Sequence, residues 1–255
     1  MKRTCLHLYL RFLILILMFL FPAGHYHLHP AQSAEEIIEK VDGYRRLSES
    51  FALKVKISDY KGNRLKDEAV FMGHFKGNEK SLLICTKGKN KRMKVLMKGD
   101  HMWVSLAGSR RALRITPMQR LMGQASNGDV AKTAFSIDYA PELVENNREQ
   151  NIIKIRLKAK GKGATYQQVL LYIDNRHYRP IKAEFFLLSG KHFKTAFYED
   201  FMKIDQHLVV QKIRIRDAIK KGRYTIMEYL DYHRAQVPEK YFNVMYLPRL
   251  ELDME

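Results

Sequence analysis

Few residues in this chain have the type and spacing that chemistry demands. His74, His101, His177, His192, His207 and His233 are scattered, without a metal-ligand spacing such as His-Glu-x-x-His. His25, His27 and His29 alternate, but as a linear cluster with no scaffold to hold a metal. The run Lys160-Gly161-Lys162-Gly163-Ala164-Thr165 has the glycines of a phosphate loop, yet it lacks the Gly-Lys-Ser/Thr ending and a following helix, so it reads as a hairpin turn. Cys85 closes the apolar run Leu82-Leu83-Ile84-Cys85, has no local base, and reads as a buried small hydrophobe. The acids are outnumbered and form no pair suited to proton transfer. These residues predict a protein that is not an enzyme, with no cofactor and no metal.

The remaining chemistry is apolar. Twelve methionines are present, and Met93, Met97, Met102, Met118 and Met122 crowd the middle of the chain. A flexible thioether adapts to ligands of irregular shape, and it equally well packs a core.

The elements that must position these side chains are mostly strands. From Phe51 the pattern has period two, with Phe51, Leu53, Val55 and Ile57 on one face and Lys54, Lys56 and Ser58 on the other. Lys61-Gly62-Asn63, Gly77-Asn78-Glu79 and Gly88-Lys89-Asn90 turn the chain into successive strands at 69–75, 81–87 and 92–98. The meander resumes at Ile152 and runs to Tyr232, and Glu142-Leu143-Val144-Glu145 is too short to classify. Roughly ten or eleven strands are expected, as in a barrel or sandwich. Ile37, Ile38, Val41 and Tyr44 predict an amphipathic helix ahead of them, and 238–242 predicts a single helical turn sealing one end.

Between the two runs of strands lies the segment Gly99–Tyr139. Met102, Val104 and Leu106 alternate with Trp103 and Ser105, and a returning strand carries Leu113 and Ile115 among Arg110, Arg111 and Arg114. Thr116-Pro117 predicts a helix start, with Met118, Leu121 and Met122 on its apolar face and Gly123 at its end. Gln124–Asp129 predicts a loop, with Gly128 at positive φ. Together these form a lid over the sheet.

Charge and leader bound the setting. The formal charge is +18, and Lys2, Arg3 and Arg11 carry three of those charges, leaving +15 on the remainder. Such a surface attracts nucleic acid or anionic membranes. Met1–Arg11 is a basic region, Phe12–Phe21 an apolar run too short to span a bilayer comfortably, and Ala31-Gln32-Ser33-Ala34 supplies small residues. Residues 1–34 therefore predict a secretory signal cleaved after Ser33 or Ala34, with an uncleaved anchor as the alternative, and 35–255 a single domain. Export argues against nucleic acid. Only Cys85 would remain after cleavage, so no intramolecular disulfide is expected.

Gly99-Asp100-x-Met102-Trp103, the return to Arg114-Ile115, and above all Gln119–Ala131 resemble the LolA-like family of outer-membrane lipoprotein-sorting proteins. Thr195-Ala196-Phe197-Tyr198 and Thr225–Tyr232 fit its C-terminal half, while Val104-Ser105-Leu106 departs from the Tyr-Leu-Pro that the family often carries. The resemblance implies a mainly β fold with a few helices: an incompletely closed, strongly curved antiparallel barrel with a helical lid. It also implies a monomeric periplasmic carrier that holds acyl chains of lipoproteins or lipids in an apolar cavity, with an inner-membrane transporter, an outer-membrane acceptor and peripheral membrane contact as partners. Two alternatives stay open: a lipid-sensing regulatory module of the envelope, or an accessory binding protein of an inner-membrane lipid transporter. Under the carrier reading Phe51, Leu53, Val55, Phe71, Phe75, Met93, Val95 and Met97 line the cavity, Trp103 sits at its rim, and Met118, Leu121 and Met122 face it from the lid. The other reading of these residues is a closed core. One of Arg110, Arg111 or Arg114 is expected to latch the lid.

Overall fold

A computed structural model describes residues 32–251. The leader expected over residues 1–34 lies almost wholly outside them, as do the three alternating histidines. From Ser33 onward the chain forms one compact unit. It opens with helix α1 (Ala34–Gly43), whose N-terminus is capped by the Ser33 side chain accepting from the Glu36 N–H at 3.2 Å. Ile37, Ile38 and Val41 bury one stripe of this helix against the sheet.

The strands that follow are β1 (Ser50–Lys61), β2 (Arg64–Lys76), β3 (Lys80–Lys87), β4 (Lys94–Lys98), β5 (His101–Ser105) and β6 (Leu113–Ile115). After the middle segment come β9 (Tyr139–Asn147), β10 (Ile152–Ala159), β11 (Gln168–Asp174), β12 (Pro180–Phe186), β13 (His192–Ile204), β14 (His207–Asp217) and β15 (Arg223–Arg234). These thirteen strands form one antiparallel sheet in the order β6-β5-β4-β3-β2-β1-β15-β14-β13-β12-β11-β10-β9. Its end strands β6 and β9 do not pair, so the sheet is open. The ladder has thirteen strands where roughly ten or eleven were expected, and the unclassified segment at 142–145 joins it as part of the edge strand β9. Pro141 and the pairs Glu142–Arg156 (3.1 Å), Glu142–Lys158 (2.7 Å) and Glu145–Lys154 (2.5 Å) make β9 a poor template for further pairing.

The sheet is curved. Register shifts at Lys54/Val55, Asp59/Tyr60 and Val70/Phe71 mark the central strands, and such irregularities bend a strand and increase its twist. The curl brings the β4–β5 turn against the β10–β11 turn, eight or more places away in the ladder. A Cβ added at Gly163 would lie 1.9 Å from an Asp100 carboxylate oxygen, so the Lys160–Thr165 run needs glycine for close approach. Phe51, Leu53, Val55 and Ile57 stand opposite Phe75, Gly73, Phe71 and Ala69, all on the inner face, with Phe51 and Phe75 stacked at 4.7 Å. Cys85 is buried there too.

The middle segment departs from expectation. Residues 120–122 form not a helix but strand β7 (Arg120–Met122), which pairs with β8 (Ala125–Ser126) in a small separate sheet. Thr116 and Gln119 close a turn instead of opening a helix: the Gln119 N–H donates to the Thr116 carbonyl, and the Thr116 N–H donates to the Gln119 side chain. The helix starts later, in the expected loop, as α2 (Asn127–Ala131), followed by α3 (Phe135–Asp138). Ser126 and Asp129 make a capping box, with the Ser126 N–H donating to Asp129 Oδ2 at 2.7 Å. Gly128 is helical rather than at positive φ; it is small because Thr165 packs where its Cβ would be.

Beyond β15, two 3-10 turns, Glu239–Phe242 and Leu247–Arg249, fold over the outer face of β3 and β4. Phe242, Leu247 and Leu250 bury Leu82, Ile84 and Leu96 in a second apolar cluster. No described helix is long and apolar enough to cross a membrane.

Candidate functional site

The inner face of the sheet is covered by residues 116–138, which contribute no strand to it. Five groups of polar contacts hold this cover, one of them at its end, where Lys160 donates its N–H to the Asp138 carbonyl (2.9 Å) and its ammonium to the Ser136 carbonyl (2.8 Å). At the β7–β8 turn, the Gln124 N–H donates to Thr225 Oγ1 (2.7 Å), and that hydroxyl donates to Asp59 Oδ1 (2.9 Å). Gly123 is at φ +55° here, and Thr225 and Asp59 leave no room for a Cβ.

Next along the cover is Lys194. It sits on β13 at an inward position in step with Ala196 and Tyr198, and it is fully buried. Its ammonium donates to Asp129 Oδ2 (2.5 Å), the Gln124 carbonyl (2.7 Å) and Ser126 Oγ (3.3 Å). The Tyr166 hydroxyl donates to Asp129 Oδ1 at 2.8 Å, so both carboxylate oxygens are engaged. Desolvation lowers the pKa of Lys194, and Asp129 opposes the shift. A buried charge held this way costs several kcal/mol to strand, about 3–5 kcal/mol when one partner is removed.

Asp42, buried at the end of α1, accepts from the Phe135 N–H (2.6 Å) and the Ser136 N–H (2.9 Å) and so satisfies the start of α3. Burial raises its pKa, while these two N–H groups pull it back. Arg45, one turn further on, donates to the Lys132 carbonyl at 2.8 Å and lies 4.3 Å over the Phe135 ring. Lys132 pairs with Asp138 at 2.9 Å, which closes the α2–α3 connection on itself.

Between the cover and β12–β15 lies a cavity of about 30 Å³, lined by Arg45, Asp129, Phe135, Tyr166 and Tyr198 among others. That is room for about one water molecule. A second pocket, of about 290 Å³, lies at the edge of the cover between Ala69 and Phe71 of β2 and Leu121 and Met122 of β7.

Phe51, Leu53, Val55, Phe71, Phe75, Met93, Val95 and Met97 are all brought together in the main core, on the β1–β5 half, and none lines this cavity. Trp103 is a correction: it does not reach the rim but faces the outer side, against the cluster of Leu82 and Leu96, because period two places it opposite the buried Met102. In the cover, Leu121 is buried and Met122 packs on the core, but Met118 is 46% exposed because the turn at 117–119 points it outward. Arg110, Arg111 and Arg114 are exposed on the β5–β6 hairpin. Arg114 meets His101 Nδ1 at 2.5 Å and the Trp103 ring at 5.6 Å. None of the three donates to a cover carbonyl in the described residues; Arg45, Lys160 and Lys194 do.

Reasoning from sequence missed Lys194, Asp129, Asp42 and Arg45. Two signals were available. Lys194 breaks an inward-facing apolar series, and Asp42 falls four residues after Ile38 on the buried stripe of α1.

Comparison with known proteins bears on this architecture. A family described as an uncharacterized protein matches residues 77–249. No curated protein matches the chain. A LolA-superfamily protein of Nitrosomonas europaea is 33% identical over 85% of this chain and 100% of its own, with a TM-score of 0.79. Two other structures share the fold at lower identity. An outer-membrane lipoprotein-sorting protein domain from Vibrio parahaemolyticus is 17% identical, covering 85% of this chain and 98% of its own at a TM-score of 0.69. A DUF1329-family protein from Desulfovibrio piger is 18% identical, covering 84% and 97% at the same score. With an open, curved antiparallel sheet, a short two-helix cover and an identity of 33% along that whole relative, the chain belongs to the LolA superfamily.

Proposed function

We propose that the protein is a periplasmic carrier that takes acyl chains of lipoproteins or lipids into its interior and moves them toward the outer membrane. The observation that supports this reading is how the inner face is covered. Residues 116–138 lie over it without joining the thirteen-stranded ladder, so the cover can lift while every ladder hydrogen bond stays in place. Its fastenings are the polar anchors Lys194, Asp42, Arg45, Lys160 and Thr225 and the packing of Leu121, Val130, Ala131 and Phe135 on the core.

The cavity beneath α2 and α3, at about 30 Å³, has no space for an acyl chain, and the pocket of about 290 Å³ beside Phe71, Leu121 and Met122 has room for only part of one. Cargo therefore enters as the cover opens. Each CH₂ moved from water onto apolar side chains contributes about 0.8 kcal/mol, so a chain of several carbons offsets the loss of the anchors. Closure of the apo interior on itself drives release to an acceptor. An inner-membrane transporter would load such a carrier and an outer-membrane acceptor would unload it. The role is binding, with no covalent chemistry.

Native mass spectrometry of protein purified from the periplasm without detergent, followed by extraction of bound species, tests this. Acylated species in the extract, with their headgroups or peptides, are expected. A clean apo mass, with no uptake of offered lipid, would overturn the carrier reading.

A further inference from the structure

One end of the sheet is electrically unlike the rest. Between residues 87 and 120 the chain carries ten lysines and arginines against a single acid, Asp100. Apart from Lys87 at the end of β3 and Arg120 at the start of β7, they lie on β4, β5 and β6 and the turns around them, at the free edge of the ladder. Of the ten, only Lys89 has a carboxylate partner, Asp67 at 3.2 Å, among the described residues. By contrast, cations at the opposite end, on β10, are paired with β9 glutamates.

Apolar side chains are interleaved with this charge. Leu106 is 51% exposed and Leu113 is 59% exposed, and they flank the hairpin tip that carries Arg110 and Arg111. The tip is ordered by its own bonds: the Ser109 N–H donates to the Leu106 carbonyl, Ser109 Oγ donates to the Arg111 carbonyl at 2.7 Å, and Gly108 takes φ +74°. Beside the hairpin, a groove of about 460 Å³ runs between it and the last described residues, with the cations Arg92, Lys94 and Arg249 and one acid, Glu251, among its walls.

We propose that this end, the β5–β6 hairpin with the groove beside it, docks the protein on the anionic surface of a phospholipid membrane. The unpaired cations face lipid phosphates, and Leu106 and Leu113 enter the headgroup layer. A nucleic acid or an acidic protein would also reward the charge. Neither explains two exposed leucines at a rigid basic tip, whereas an interface with both an anionic layer and an apolar one matches both features. The inference does not depend on the interior taking acyl chains, so the two readings fail separately.

Co-sedimentation with vesicles of phosphatidylcholine alone, and of phosphatidylcholine containing phosphatidylglycerol, tests it on the full-length mature protein. Binding is expected only to the anionic vesicles, weakening as salt rises. Each cation near such a surface is worth a factor of roughly five, so Arg110→Gln with Arg111→Gln and Arg114→Gln lowers binding about a hundredfold. Trp103, the one tryptophan in the chain, lies on β5 of this hairpin opposite Arg114 and reports independently. Its emission is expected to shift to the blue on anionic vesicles, and Leu106→Gln with Leu113→Gln reduces that shift. All these substitutions are at exposed positions, and unchanged thermal melts verify the fold. Equal vesicle binding by the triple variant, or binding to nucleic acid or an acidic polypeptide with none to vesicles, would overturn the proposal.

Discussion

The two halves of the sheet use the same ladder but finish their inner faces differently. On β1–β5 the inner face is hydrocarbon, sulfur and aromatic ring gathered around Phe51, Phe71 and Phe75, with a pocket of about 290 Å³ beside Phe71 at the edge of the cover. On β11–β15 the inner face includes Lys194, Thr225, Tyr198, Tyr229 and Tyr232, and the small cavity lies there. The difference separates two jobs. Hydrocarbon gives non-directional burial that stabilises the fold wherever the cover lies, whereas a buried ammonium or carboxylate demands one partner in one place and so fixes where the cover sits.

The comparison breaks most visibly in the apolar half. Phe71→Ala should cost about 4–5 kcal/mol in urea unfolding, as for a fully buried aromatic, while cover protection in hydrogen exchange falls only with global stability. Selective loss of protection in residues 124–138 would show that the halves are not independent. Lys194→Met should cost about 3–4 kcal/mol by leaving Asp129 buried without its cation, and here exchange in the cover should rise first. Adding Asp129→Asn removes the stranded charge and should recover more than about 1 kcal/mol. If the double variant is instead as weak as the sum of the singles, the pair is not acting as a pair.

Gly128→Ala probes the seam between cover and sheet. Its Cβ would lie 2.0 Å from Thr165 Oγ1, so a loss of about 1–3 kcal/mol is expected, with exchange rising in α2 and no comparable change in β1–β3. A neutral melt would mean that the cover is already free to shift.

The smallest effect is a pH dependence, and it belongs to the outer side of the first half. Desolvation lowers the pKa of His74 from 6.5 to about 4, where it lies against Tyr241. The unfolded chain then binds the extra proton first, so stability is full above about 6.5 and falls as pH drops from 6.5 toward 4. Each pKa unit corresponds to about 1.4 kcal/mol, and with part of the ring in water the loss is about 1–2 kcal/mol. His74→Gln should flatten this part of the pH profile; a slope unchanged in that variant would assign it to another group.

Much of the fold was legible because it rests on local patterns. Phe51-Ala52-Leu53-Lys54-Val55 alternates, the glycine turns punctuate, and Ile37, Ile38 and Val41 recur at helical spacing, so β1–β4 and α1 emerge from the chain itself. The cover was not legible for a related reason. Thr116-Pro117 is a good helix start in isolation, yet a side-chain contact from Gln119 turns the chain there, and the competing start at Ser126 prevails through Asp129. The site was harder still. Partners such as Lys194 and Asp129, or Asp42 and the Phe135 N–H, stand far apart in sequence and meet only after the sheet has curled.

The pairing of β1 with β15 has a temporal consequence. Phe51 stands opposite Arg234, so the central seam joins the beginning of the domain to its end. Each flank can zip up hairpin by hairpin, but closing so long a loop is slow and comes late. Until residue 234 is delivered, neither half can be completed by the other. A chain that emerges from its N-terminus therefore remains a pair of unfinished meanders until nearly all of it has arrived, which keeps it pliable throughout its delivery.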